Sequence, residues 1–168
     1  MSLFRLVLLL VAVARILELV HAQRNTRRLL DAGAIEVGRG HYPLMVALHV
    51  AWFIAMLAAI PDDAPPRWPW LSFFLVLQLG RIWVLASLGR FWTTRIVTRP
   101  GAPLVRRGPY RFIRHPNYLI VELEIVSLPM AFGAPLLAVA FGLANAALLW
   151  WRIRVENTAL APRRPAHK

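Results

Sequence analysis

Apolar residues gather into five long runs separated by polar segments, and this pattern predicts five helices that cross a bilayer. The first run, residues 3–22, is long enough, at about 1.5 Å per residue, to span a hydrocarbon core of roughly 30 Å. Arg15 and Glu18 interrupt it at i,i+3, the spacing of a buried ion pair that faces other helices, and no small-residue cleavage site marks it as a signal peptide. In the polar segment 23–41, Asn25 to Leu30 can start a short interfacial helix before Gly33, Gly38 and Gly40 interrupt it. The second run covers about 42–60; it begins at His41-Tyr42-Pro43, ends at Pro61, and its lone ionisable group, His49, reads as packed and hydrogen-bonded. After the proline-rich connector 61–67, a third run spans about 69–88, with Trp68 and Trp70 suited to an interfacial belt. It carries Gln78 and Arg81 in its second half, where Arg81 either snorkels to the inner face or points into a site. A fourth run starts near Pro116 and reaches about Phe132, and the fifth continues past Gly133-Ala134-Pro135 to about Val155. So short a connector predicts an antiparallel helical hairpin, with the Tyr118 end of one helix beside the Arg152 end of the other. Tyr118 and Glu122 then share a face at i,i+4, opposite a stripe of Asn145, Arg152 and Glu156.

Composition fixes the class. Of the 168 residues, 58% are hydrophobic, and the mean hydropathy is +0.54, which points to a small all-α, polytopic membrane bundle. One membrane domain accounts for 1–168, with three spans in 1–88 and a polar loop plus hairpin in 89–160. The net charge of +12 is almost wholly arginine, Lys168 being the only lysine. Because that arginine is gathered between spans, the expected partner is a lipid bilayer, with no nucleic acid. The basic segments 23–41, 89–115 and the C-terminal stretch with Arg163, Arg164 and Lys168 alternate with connectors at 61–67 and 133–135. The positive-inside rule therefore predicts an outer N-terminus and a cytosolic C-terminus. Cysteine is absent, which excludes thiolate chemistry, and the five histidines lack ligand-like spacing, so no metal is expected.

The candidate chemistry lies in 104–118, Leu-Val-Arg-Arg-Gly-Pro-Tyr-Arg-Phe-Ile-Arg-His-Pro-Asn-Tyr. Gly108-Pro109 signals a turn and Pro116 disfavours helix at His115, so Tyr110, His115 and Tyr118 are presented from a bent backbone. Four arginines give the stretch a positive field with no acid in it. Upstream, Thr93 to Val97 has β propensity, which suggests a short extended segment or hairpin over the site. Glu122, Glu124, Arg152 and Glu156 are candidates because ionisable groups inside a membrane are costly. Two readings of the last pair stand open: an arginine positioning an anionic acceptor beside a carboxylate that binds an amine, or an i,i+4 pair that caps the last span.

Gly108-Pro109-Tyr110, Arg114-His115-Pro116-Asn117-Tyr118 and, one hairpin later, Arg152-Ile153-Arg154-Val155-Glu156-Asn157 resemble the signature of the membrane isoprenylcysteine carboxyl methyltransferase family over roughly 90–160. Trp92-Thr93-Thr94-Arg95-Ile96 and Pro100-Gly101-Ala102-Pro103-Leu104-Val105 are similar to its small bacterial branch associated with type III polyketide synthases, which O-methylates alkylpyrones. The resemblance implies S-adenosylmethionine in a cytosol-facing pocket, a lipophilic acceptor entering from the bacterial cytoplasmic membrane, and a polyketide synthase as pathway neighbour. By motif, Leu104, Val105, Tyr110, His115, Pro116, Asn117, Tyr118 and Glu156 would line the cofactor. Arg152 would be the catalytic residue that meets the acceptor, with Glu122 and Asn145 beside it. Asn157 stands where the family often has a second glutamate, which leaves the acceptor class open. The alternatives are N-methylation of a phospholipid amine and a non-enzymatic lipid-binding bundle.

Overall fold

The computed structural model describes residues 1–99 and 104–161, so Pro100 to Pro103 and the basic Arg163, Arg164 and Lys168 fall outside the described residues. Five α-helices follow in order: α1 (Leu3–Asp31), α2 (His41–Ala59), α3 (Trp68–Leu88), α4 (Pro116–Ala131) and α5 (Pro135–Leu160). Three stretches, His41–Ala59, Trp68–Phe91 and Pro135–Leu160, are long and apolar enough to cross a membrane. The other two apolar runs are helices as well, but α1 carries charges along its length, and α4 has 16 residues, fewer than the roughly 20 of an upright span.

Local punctuation sets most of these boundaries. Proline at the first turn opens α3, α4 and α5, where its missing N–H costs nothing. At the other end, Gly89 closes α3 and Gly133 follows α4, both with positive φ. The clearest departure from expectation is α1. Rather than ending near residue 22 and restarting as an interfacial helix, it continues unbroken to Asp31. Residues 23–31 lack an apolar stripe but contain no glycine or proline, and Asn25, within them, is buried. Its amide donates to the carbonyls of Gly89 at 3.1 Å and Trp92 at 3.0 Å, holding the end of α3 against α1.

The extended segment after Trp92 is present as β2 (Ile96–Thr98), but its partner is not a neighbouring hairpin arm. It pairs antiparallel with β1 (Ile35–Val37), in the register Ile35–Thr98, Glu36–Val97 and Val37–Ile96. Glu36 takes Arg95 Nη1 at 3.1 Å across the pair. This small sheet ties the loop after α1 to the loop after α3.

The main core joins Phe4 and Leu8 of α1, Trp52 and Met56 of α2, Phe74 of α3, and Ile125 and Leu128 of α4. Outside, the helices present leucine, isoleucine and valine: Leu9, Ile16, Leu57, Leu79, Ile82, Leu136 and Leu143 are all exposed. An apolar exterior around a charged interior suits a hydrocarbon surrounding. That interior charge is a four-residue cluster. Arg15 and Glu18 pair at 3.1 Å as their spacing implied, and Arg81 joins them, 2.7 Å from Glu18 and 3.0 Å from Glu124. Arg81 therefore neither snorkels nor reaches the 104–118 stretch, because two carboxylates hold it inside. His49 is packed as expected, its Nδ1 within 2.7 Å of the Met45 carbonyl one turn back.

Candidate active site

The polar loop is clamped to the end of α3 before it enters α4. Gly108 has φ +58°, and a Cβ there would overlap the Ser87 hydroxyl, so only glycine fits this approach. Pro109 is buried in the 3₁₀ turn Gly108–Arg111, and Arg107 Nε donates to the Ser87 carbonyl at 2.7 Å. Tyr110, carried by that turn, packs against the cluster of Ala22, Val84 and Trp92. Burial, helped by the negative charge of Glu156, pushes its phenol well above the ordinary value, so it stays protonated. His115 caps the start of α4 in a non-helical conformation, as a residue before proline must.

From there α4 and α5 run antiparallel. Tyr118 meets Arg152, Glu122 meets Asn145, and Val126 lies against Gly142. Two polar links cross this contact. The buried Asn145 amide donates to Glu122 at 2.8 Å. Nearer the loop, Arg152 Nε donates to the Tyr118 hydroxyl at 2.7 Å, and that hydroxyl donates in turn to Glu156. Arg152 and Glu156 thus form no direct ion pair, and the simple helix-capping pair is replaced by a relay through a phenol. His115 stacks on Tyr118 with ring centroids 5.3 Å apart, sits 3.6 Å from Glu156, and has Nε2 3.3 Å from Asn157 Oδ1. Asn157, where a second acid was the family expectation, therefore contacts the imidazole.

Arg152 is only 5% exposed and is held from three directions. Besides Tyr118, its Nη2 donates to the Thr94 carbonyl at 2.8 Å. Its Nη1 faces weaker acceptors, the Met45 sulfur at 3.4 Å and His41 Nε2 at 3.5 Å. The strong bonds at Nε and Nη2 fix the plane of the guanidinium. The Nη1 edge is the one that a better acceptor can claim.

Tyr118, His115, Glu156, Arg152 and Asn157 are thus gathered at one place, with Glu122 and Asn145 deeper along the same helix contact. Pro116 is buried at the start of α4, and beside it Asn117 carries a buried side-chain oxygen with no hydrogen-bond partner. Val105 lies beside a different opening. It lines an open cleft of about 640 Å³ with Arg90, Phe91, Arg106 and Arg107, and none of the Tyr118 group borders it. Sequence reasoning did not select His41, Met45 or Thr94. The signal for His41 was present in His41-Tyr42-Pro43, a polar and aromatic triplet at the mouth of a span, while Thr94 acts through its backbone carbonyl and leaves no mark on composition.

Comparison with known proteins decides the family. Residues 70–162 match the isoprenylcysteine carboxyl methyltransferase family. The chain belongs to that family. The matched region contains α4, α5 and the whole Tyr118–Arg152–Glu156 relay. The protein YpbQ of Bacillus subtilis is 38% identical over 162 residues, covering 94% of this chain and 96% of that protein. A Haemophilus influenzae protein is 25% identical over 149 residues, covering 82% of this chain and 83% of its own length. The cobalt-zinc-cadmium resistance protein CzcN of Cupriavidus metallidurans is 35% identical over 99 residues, 56% of this chain and 45% of that protein. No solved structure matches.

Proposed function

We propose that this methyltransferase-family protein takes the methyl group of S-adenosylmethionine and transfers it to an oxygen of a lipophilic acceptor, a carboxylate or an enolic hydroxyl. The observation that carries this reading is the relay itself, a buried arginine and a carboxylate joined by one phenol. Its two ends offer opposite charges to two ligands. Glu156, His115, Tyr118 and the unpartnered Asn117 oxygen fit a cofactor rich in donors, with an ammonium, an adenine amino group and a cationic sulfur. Bound there, S-adenosylmethionine supplies an electrophilic methyl group on a sulfonium.

The chain's own residues do the rest. Glu156 binds positive charge, and the Tyr118 ring and its stacked His115 form an aromatic wall. Arg152 holds the acceptor's anionic oxygen on its Nη1 edge, where His41 and Met45 compete weakly. An already ionised oxygen needs orientation and exclusion of water rather than a general base. Tyr110, packed against Ala22, Val84 and Trp92, anchors the loop that leads into the site. Val105 lines the arginine-lined cleft, so its cofactor role, with that of its neighbour Leu104, would extend the site toward that cleft.

The surrounding topology belongs to the same reading. All five helices lie in the bacterial cytoplasmic membrane, α1 and α4 included, with the site and the C-terminus in the cytosol. The acceptor reaches the site from the bilayer, and a polyketide synthase stands as the pathway neighbour that would supply an alkylpyrone. The test is isothermal calorimetry with S-adenosylmethionine on purified protein in detergent, followed by methyl-labelled cofactor and a lipid extract. A heat of binding and a labelled lipid that releases methanol on alkaline hydrolysis, or loses methyl in acid as an enol ether does, support oxygen transfer. A label stable to both treatments identifies amine methylation, and absence of heat from folded protein returns the chain to a lipid-binding role. A C-terminal reporter active only outside the cell would overturn the orientation.

A further inference from the structure

Two stretches far apart in the chain, Arg90-Phe91 at the end of the α3 span and Val105-Arg106-Arg107 ahead of the 3₁₀ turn, close around one open cleft of about 640 Å³. All three of its arginines are exposed. Arg107 is fixed through Nε to the Ser87 carbonyl at 2.7 Å, and the Arg90 guanidinium lies 5.0 Å from the centre of the Phe91 ring. Among the described residues, none of the three pairs with a carboxylate. Elsewhere Arg15, Arg81 and Arg95 are each matched to a glutamate. Three like charges gathered in one cleft without an acid make it a site of positive potential that draws an anion.

We propose that this cleft holds the phosphate headgroup of an anionic phospholipid, with an acyl chain lying down the outer face of α3. The charge calls for an anion, and the planar donor fork of arginine suits phosphate oxygens. Size narrows the choice. A cleft of about 640 Å³ is as large as an ordinary small-molecule site, which takes more than a lone carboxylate or phosphate ion to fill. The apolar surroundings decide for a lipid. Phe91 lines the cleft among the arginines and is 41% exposed. Trp83, one turn before Ser87, lies against the Gly108 backbone and is still 52% exposed. Leu79 and Val76 continue the Trp83 stripe at spacings of four and three, and they are 68% and 61% exposed. Basic groups at the end of a span, above an apolar stripe, bind a headgroup and its chain together.

The inference rests on α3 crossing the bilayer and not on methyl transfer. It is tested by native mass spectrometry of the purified full chain in a non-ionic detergent, titrated with dioleoylphosphatidylglycerol. One lipid should bind ahead of the rest, about tenfold more tightly than dioleoylphosphatidylcholine, whose choline offsets the phosphate charge. Arg90 and Arg106 make no hydrogen bond among the described residues, so both can be changed without cutting a tie in the fold. Arg90→Gln with Arg106→Gln should weaken that lipid by about fivefold for each arginine; Arg106→Gln alone serves if the double variant fails to fold. Arg24→Gln with Arg27→Gln removes the same charge from the exposed side of α1 and should leave the first lipid bound as before. Equal binding of the two phospholipids, or equal weakening by the two pairs of substitutions, overturns the proposal. Displacement of the lipid by millimolar glycerol 3-phosphate would make a soluble phosphate the occupant, and displacement by equimolar oleate would make it any anionic chain; either result overturns the phospholipid assignment. Displacement by S-adenosylmethionine would also overturn it, since the cleft would then belong to the cofactor through Val105.

Discussion

Removing one oxygen tests the relay most directly. Tyr118→Phe keeps the ring stacked on His115 but deletes the hydroxyl that receives Arg152 Nε at 2.7 Å and donates to Glu156. The two losses are unequal. Arg152 is 5% exposed, so its Nε–H has little water to turn to, and a buried charged donor left unpaired costs about 1.5–3 kcal/mol. The Glu156 side chain is 23% exposed, so solvent replaces part of its lost bond, and the added cost is about 0.5–1 kcal/mol. The Thr94 carbonyl still holds Nη2 at 2.8 Å, which keeps the guanidinium in place but lets it rotate. The expected result is a destabilisation of about 2–4 kcal/mol at most. Methyl transfer should fall by about ten- to hundredfold, mainly in kcat because orientation is lost, while cofactor affinity changes less than tenfold. Thermal unfolding in detergent, calorimetry with S-adenosylmethionine and initial rates on an active lipid fraction measure the three quantities separately. Wild-type unfolding and rates in Tyr118→Phe would refute the claim that the phenol positions Arg152.

Three further outcomes follow from the same geometry. Glu156→Gln keeps the size but removes the anion, and calorimetry should show cofactor binding weakened by about ten- to hundredfold; unchanged affinity reassigns Glu156 to a structural contact. Arg152→Lys retains charge but cannot reach Tyr118 and Thr94 together, so it should raise the acceptor KM or lower kcat with cofactor affinity preserved. Equal loss of both affinities would remove the acceptor role. Glu124→Gln leaves the buried Arg81 and Arg15 facing one carboxylate and should destabilise by about 3–5 kcal/mol. The double variant Glu124→Gln with Arg15→Gln, which restores neutrality, should unfold at a higher temperature than the single one, and a further drop would show that the cluster is not governed by charge balance.

The sequence by itself determined the helices and most of their ends. Pro61, Gly89, Pro116 and the Gly133-Ala134-Pro135 turn act within a few residues of themselves, so their effect is readable without knowing the fold. It also determined that Tyr118 and Arg152 meet, because a three-residue connector leaves α5 little choice but to fold back along α4. What it could not fix are relations between distant segments. Residues 23–31 look like a loop because their apolar stripe ends, yet they remain helical because nothing breaks the backbone and Asn25 finds carbonyls 64 and 67 residues away. The pairing of β1 with β2 depends in the same way on two loops meeting over a bundle. The sharpest case is Arg152 and Glu156. Their i,i+4 spacing is the same whether they pair directly or through a third group, and only the packing of α4, which brings the Tyr118 hydroxyl between them, decides that they are joined by a relay.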